Sequence, residues 1–146
     1  MDQMFQVVSD VENYKNFVPF CKKSNVMSRR SDHLRASLVI GFPPIIESYT
    51  SYVQLDKPNL VRAVCKDAHI FDHLISTWKF SPGLRSIPQS CILDFNISFQ
   101  FKSILHSQMA HIFFNEIVKK MEGAFILEAG NRYGKPSVES KQIALT

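Results

Sequence analysis

Along residues 91–102 the sequence alternates between apolar and polar side chains over a long stretch. The apolar positions that share one face are Cys91, Leu93, Phe95, Ile97, Phe99 and Phe101, and the polar positions between them are Asp94, Asn96, Ser98, Gln100 and Lys102. Because successive side chains of a strand point to opposite faces, this pattern predicts a long antiparallel strand with one solvated face. Such a strand needs another element to cover its apolar face, which restricts the chain to layered folds.

The same two-residue alternation of apolar and polar side chains extends upstream over most of the middle of the chain. Further strand candidates lie at residues 34–40, 45–55, 60–65 and 70–80. The segments that separate them are rich in Gly, Pro, Asp and Asn, which favour turns. Consecutive strands joined by short turns predict an antiparallel meander that forms one curved sheet.

Helical periodicity flanks this sheet at both ends of the chain. The N-terminal residues predict a helix that ends near Asn13, followed by one helical turn and a switch to extended chain that Pro19 imposes on Val18. Residues 104–129 carry an apolar stripe and predict a long amphipathic helix with its C-cap at Gly130. This helix is the only predicted element able to cover the sheet. The sequence therefore predicts an α+β fold in which a curved sheet wraps around the C-terminal helix.

The composition fits one ordinary domain. The chain has 146 residues, of which 45% are hydrophobic, enough to bury a core without disulfides or metal. We expect residues 1–134 to form the domain and residues 135–146, which are polar, to form a disordered tail.

The charge pattern excludes some partners. The net charge is +4, and the short basic clusters are Lys22-Lys23 and Arg29-Arg30. A patch of this size is compatible with an anionic membrane surface or with an ordinary solvated strand, and it is too sparse for nucleic acid. No apolar run is long enough for a transmembrane helix, and the N-terminus does not resemble a transit or signal peptide.

The sequence carries no recognisable metal site or catalytic motif. Cys21, Cys65 and Cys91 have neither zinc-ligand nor redox spacing, which predicts buried thiols in a reducing compartment. The histidines are not paired on one buried face, and phosphate-loop, zinc-protease and nucleophile-elbow motifs are absent. We therefore expect no metal, no cofactor and no catalytic residue.

Two acidic residues fall in phase with the predicted inner face. Glu47 shares its strand face with Tyr49, so an acid–base pair and a cross-strand polar pair both fit. Asp72 alternates with inward residues, but strands often bulge near their start, and we expect it to face solvent. An enzyme thus stays an alternative that no motif supports.

The predicted inner surface carries many large apolar side chains. They are Phe42, Trp78, Phe95, Phe99, Phe101, Phe113, Phe114, Met121 and Phe125. A small sheet and one helix either pack fully over such a set or leave a ligand cavity between them. Periodicity alone does not decide between the two.

The segment from Val11 to Ser24 resembles the signature of the coenzyme Q-binding proteins of the polyketide cyclase/START-like superfamily. That signature usually runs Tyr-Lys-x-Phe-Val-Pro-Trp-Cys, and here Phe20 takes the Trp position. Further matches lie at residues 41–44, 47–51, 78–83, 94–101 and 133–134, in the order of the family. Together they cover about residues 4–134.

The resemblance implies a helix-grip (START-like) fold that binds coenzyme Q (ubiquinone) in an apolar cavity. It implies a non-catalytic carrier or chaperone that supports respiratory electron transport and quinone biosynthesis. It also implies a peripheral location on the matrix side of the mitochondrial inner membrane. Two alternatives remain open: a polyketide cyclase or aromatase that uses the same cavity, and an interaction module without a pocket.

The resemblance also suggests which residues contact the ligand. A lid or mouth is expected from Phe17, Pro19 and Phe20, and the walls from Phe42, Tyr49, Trp78, Phe95, Phe99, Phe113, Ile117 and Met121. Tyr49, Tyr52 or Trp78 would donate hydrogen bonds to the quinone oxygens.

The chain departs from the family in two places. Family members carry a transit peptide and an edge strand before the first helix, whereas this chain starts at that helix, so we expect an exposed sheet edge. Residues 125–128 are also less basic than in the family.

Overall fold

The computed structural model describes residues 1–42, 45–102 and 110–137, without the side chains of Phe42, Ile45 and Ile117. The N-terminal part consists of α1 (Asp2–Ser9), a 3-10 turn (Val11–Asn13) and α2 (Tyr14–Phe17). The strands are β1 (Cys21–Arg29), β2 (His33–Phe42), β3 (Ile45–Asp56), β4 (Leu60–Lys66), β5 (Phe71–Pro82) and β6 (Cys91–Phe101). The C-terminal part consists of α3 (Ala110–Phe113), a π-helical segment (Phe114–Val118) and α4 (Lys119–Tyr133).

The strands form one antiparallel sheet in the order β1-β2-β3-β4-β5-β6. This is the predicted meander. Along β6 every second side chain is exposed and the others are covered, as the alternation predicts. The helices lie on the covered face, where α1 contacts β4, β5 and α4. The predicted α+β class, with a curved sheet around a C-terminal helix, is confirmed.

A β-bulge at the start of β5 decides the direction of Asp72. Phe71 pairs with Phe101 and His73 pairs with Gln100, so Asp72 is the extra residue between two ladder positions. Its side chain is 61% exposed, as expected, whereas Phe71 points into the core.

The N-terminal helix ends earlier than its periodicity predicts. Asp10 leaves helical geometry at φ −84° and ψ 64°, so α1 stops at Ser9 and a 3-10 turn follows. The switch before Pro19 is as predicted: Val18 is extended, with φ −79° and ψ 131°. Phe20 then adopts a positive φ of 62°, which redirects the chain into β1.

The predicted helix cap at Gly130 is wrong, because α4 continues to Tyr133. The cap is Gly134, which has a φ of 91° and donates its N–H to the Gly130 carbonyl at 2.9 Å. Arg132 holds this last turn, since its guanidinium lies 2.9 Å from both Asp10 and Glu128. These ion pairs offset the cost of about 1 kcal/mol that an internal glycine adds to a helix. The predicted helix start at residue 104 and most of the predicted disordered tail lie outside the described residues.

The π-helical segment changes which side chains point inwards. It inserts an extra residue into the turn after Phe113, so the apolar stripe shifts by one position. Phe113 is buried, but Phe114, which was expected inside, is 43% exposed. No helix in the described ranges is long and apolar enough to cross a membrane.

Candidate ligand cavity

A cavity lies between the inner face of the sheet and the helices. It encloses about 870 Å³ of empty space, a volume that includes its opening to solvent. The side chains that face this space do not fill it. The alternative of a module packed without a pocket therefore does not describe this chain.

The lining is mostly apolar and comes from every layer of the fold. Its members are Val11, Tyr14, Val18, Pro19, Cys21, Leu38, Ile40, Tyr49, Ser51, Val53, Val61, Ala63, Cys65, Leu74, Ser76, Trp78, Ile97, Phe113, Met121 and Phe125. Five of the expected ligand-binding residues are among them: Pro19, Tyr49, Trp78, Phe113 and Met121. The side chains of Phe42 and Ile117 lie outside the described part of the chain.

Four other expected residues lie behind the lining. The Phe95 ring stacks on Trp78 with centroids 4.2 Å apart, and Phe99 packs on Phe113 at 4.8 Å. Phe17 packs edge-on against Phe125 at 5.2 Å, and Phe20 belongs to the cluster around Phe113. These rings support the cavity wall rather than line it.

The sequence patterns did not single out the small and polar members of the lining. Ser51, Ala63, Cys65 and Ser76 occupy inward positions of β3, β4 and β5. Their alternation with outward residues was visible in the sequence. Small side chains at these central positions leave the space that larger residues would fill.

Tyr49, Ser51, Cys65 and Ser76 form what we call the polar stripe. Ser51 pairs with Cys65 across β3 and β4, and Ser76 lies on the next strand, opposite Ala63. Burial raises the pKa of the Tyr49 hydroxyl above its usual range, and the nearby Cys65 thiol adds to the effect. Tyr49 is therefore a neutral donor at physiological pH.

Glu47 is the acid for which the sequence did not decide between a catalytic and a structural role. It is 1% exposed, and its Oε1 accepts the backbone N–H of His69 at 2.5 Å. This bond anchors the segment between β4 and β5, which gives the carboxylate a structural role. Asp72 faces outwards, so of the two acids only Glu47 lies on the inner face, on the strand that also carries Tyr49. In the described ranges no three His, Cys, Asp or Glu side chains are grouped to hold a metal ion.

Of the three thiols expected to be buried, Cys21 is buried, whereas Cys65 and Cys91 are half-buried. The thiols of Cys21 and Cys65 predict a loss of stability at alkaline pH. Burial raises the pKa of Cys21 from 9.0 to about 11 and that of Cys65 from 9.0 to about 12. Above about pH 9 the unfolded chain therefore binds fewer protons than the folded chain, so the free energy of unfolding falls as pH rises. We expect Cys21→Ala to reduce this fall between about pH 9 and about pH 11, by at most ~1.4 kcal/mol per pH unit. Urea unfolding of both proteins measures it, and parallel pH profiles would contradict the assignment.

A curved antiparallel sheet closed by a C-terminal helix around an apolar cavity defines the class of helix-grip proteins. The sequence of residues 1–126 matches the family model described as polyketide cyclase / dehydrase and lipid transport. The chain belongs to this family, which confirms the superfamily inferred from its motifs.

The chain is also similar to individual named proteins. The chain is 52% identical over 140 residues to the protein named Coenzyme Q-binding protein COQ10, mitochondrial, of Drosophila melanogaster, a match that covers 96% of this chain and 58% of that protein. The chain thus spans less than two thirds of the length of this relative. This sequence identity confirms the motif-based resemblance to coenzyme Q-binding proteins.

Solved structures agree on the fold. The Zhui aromatase/cyclase of Streptomyces sp. R1128 superposes with a TM-score of 0.77 at 16% identity, covering 90% of this chain and 87% of that one. A START superfamily protein of Mycobacterium smegmatis gives 0.65 at 17% identity, covering 86% and 88%. The predicted START-like fold is confirmed.

Proposed function

We propose that this chain binds ubiquinone in its apolar cavity and carries it without chemical change. The observation that carries the proposal is an apolar cavity with polar hydroxyls on one wall and the Trp78 and Phe113 rings among its lining. Ubiquinone combines a polar-edged planar ring with an isoprenoid tail, and such a ligand needs these surfaces. The name of the 52% identical relative supports the same ligand.

The carrier role follows from the size of the cavity. A long isoprenoid chain would extend beyond a cavity of this kind. A protein of this kind shields the ring from water while the tail stays near a membrane. The mitochondrial name of the relative supports a mitochondrial location, and we propose the matrix side of the inner membrane as the place of action.

The protein surface offers a way to reach that membrane. The side chains of Lys22 and Ile46 both lie beside Gly41, and Ile46 is 77% exposed. Ile40 packs in the same cluster as Phe113, so this corner and the exposed Phe114 are at the same end of the cavity. Exposed apolar side chains beside a cation suit an anionic bilayer.

We expect Ile46→Asp to weaken binding to anionic vesicles about tenfold, because it removes apolar contact and adds a like charge. Cosedimentation with phosphatidylcholine vesicles, with and without phosphatidylglycerol, measures the effect. Leu84→Asp is the matched control, since Leu84 is also exposed but follows β5 at the opposite end of the sheet. Equal losses in the two variants would contradict docking through this corner.

The proposed function is tested by extraction and by titration. The purified protein is extracted with organic solvent, quinone is identified by mass spectrometry, and binding of a short-chain ubiquinone is titrated by Trp78 fluorescence. We expect extracted quinone, saturable binding and recovery of the ligand unaltered after incubation. A clean extract together with no saturable uptake by folded protein would refute the proposal, and a modified ligand would favour the cyclase alternative.

A further inference from the structure

The outer face of the sheet carries an excess of positive charge along β1–β4. The side chains that alternate with the inward positions of these strands include the cations Lys23, Arg35, Arg62 and Lys66, and one acid, Asp56, among the described residues. In the described part of the chain none of the four cations forms an ion pair or a side-chain hydrogen bond. This face therefore presents a positive potential that the protein itself does not neutralise.

Two of these cations line a groove on that face, which we call the outer groove. Arg35 on β2 lies opposite Tyr52 on β3, and Arg62 on β4 lies opposite Gln54, two residues further along β3. These four residues and His33 line the groove, which encloses about 820 Å³ including open solvent. Tyr52, which the resemblance suggested as a quinone donor, thus lies on the outer face and is 43% exposed.

The outer groove has the chemistry of a site for carboxylate or phosphate oxygens. A guanidinium group is always charged, and its planar fork of N–H donors matches a carboxylate or a phosphate through two parallel hydrogen bonds. The Tyr52 hydroxyl and the Gln54 amide add neutral donors beside the two guanidinium groups. No carboxylate lines the groove among the described residues. An incoming anion therefore meets donors from three neighbouring strands.

The shape of the outer groove favours a polypeptide over other anions. A small anion would stay largely solvated in an open groove, whereas small-ligand sites bury most of their ligand. A flat bilayer would not reach the floor of a groove, and nucleic acid would need a denser set of cations. A segment with several acidic side chains contacts Arg35 and Arg62 together and extends towards Lys23 and Lys66 on the same face.

The outer groove also lies away from the corner proposed to meet the membrane. Arg35 precedes Gly41 by six residues on β2, which is about 20 Å along a strand. Ile46 and Lys22 flank Gly41 at that corner. With the corner on a bilayer, the groove stays accessible to a partner in the aqueous phase.

We propose that the outer groove is a docking site for an acidic segment of a protein partner, held by Arg35 and Arg62. The groove and the cavity are on opposite faces of the sheet, so this interaction does not depend on the ligand that the cavity binds. It gives the carrier a surface through which a partner recognises it.

The test uses a fluorescent oligoglutamate peptide as the probe, with binding followed by anisotropy at physiological ionic strength. Arg35→Ala and Arg62→Ala should each lower the affinity about fivefold, the upper end for an exposed ion pair. Arg62→Lys keeps the charge but loses the planar fork, so its affinity should fall between those of Arg62→Ala and the wild type. Short-chain ubiquinone binding and thermal unfolding should not change in these variants.

Lys119→Ala is the matched control. Lys119 is an exposed lysine at the start of α4, which covers the opposite face of the sheet, and it forms no ion pair among the described residues. Its charge is screened from the groove by salt, so this variant should bind the peptide like the wild type.

Three results would overturn the inference. The first is a folded wild type that does not bind the peptide. The second is a loss in Lys119→Ala equal to that in Arg35→Ala, which would show a response to net charge alone. The third is binding of pyrophosphate or of phosphatidylglycerol vesicles, but not of the peptide, that Arg62→Ala abolishes, because the groove would then serve an anion other than a protein segment.

Discussion

Phe125→Ala should destabilise the protein by about 3–5 kcal/mol, the range for truncating a fully buried phenylalanine. Phe125 is 0% exposed, and its ring contacts Trp78 at 4.7 Å, Phe17 at 5.2 Å and Tyr14 at 5.3 Å. It therefore joins α4 to α2 and to the sheet. Its removal leaves a void next to the existing cavity, which the surrounding rings can fill only in part.

Urea unfolding followed by circular dichroism measures this effect. Leu127→Ala is the matched control: Leu127 lies on the same helix, is 68% exposed and should change stability by less than about 0.5 kcal/mol. If Phe125→Ala does not fold, Phe125→Leu provides the graded case with a smaller loss. A Phe125→Ala variant as stable as Leu127→Ala would show that α4 does not close the core through this ring.

Ala63→Phe should abolish quinone binding while the protein stays folded. Ala63 lies at the centre of β4, where it pairs with Val53 and Ser76 and lines the cavity. A benzyl group here occupies the space proposed for the quinone ring, so we expect a loss of affinity well above tenfold. Because the cavity offers room, the cost in stability should stay within the ~1–3 kcal/mol typical of overpacking.

Val64→Phe is the control for this substitution. Val64 is the next residue of β4, and its side chain lies on the outer face of the sheet. The same enlargement there should leave quinone affinity unchanged. Titration with a short-chain ubiquinone measures the quinone affinity of both variants, and thermal unfolding measures their stability. Undiminished binding by a folded Ala63→Phe variant would remove the cavity as the quinone site.

Local pattern was sufficient for most elements of this fold, but β1 was not among the strand candidates. The alternation in β6 follows from the geometry of any strand with one wet face, and the helical stripe at the C-terminal end follows from the period of an α-helix. The Pro19 switch is likewise a local steric effect. Boundaries were less predictable: Gly130 was expected to end α4, but the ion pairs of Arg132 with Asp10 and Glu128 carry the helix one turn further.

The candidate site depended more on tertiary contacts. Of the residues expected to contact ligand, Pro19, Tyr49, Trp78, Phe113 and Met121 line the cavity, whereas Phe95 and Phe99 stand behind it. All these side chains point to the inner face, and periodicity cannot say which ring covers another. The alternation of residues also could not predict that the Glu47 carboxylate accepts a hydrogen bond from the His69 N–H.

By itself, the sequence determined the meander, the covering helix and the family, because strand alternation, helical period and ordered motifs are properties of the chain alone. Only the tertiary structure decided that apolar space stays open instead of collapsing into a core. That outcome depends on how far α4 stands from the sheet. The distance is set by non-local contacts: the stack of Trp78 on Phe95, the rings around Phe125, the shift at the π-helical segment and the small residues opposite them.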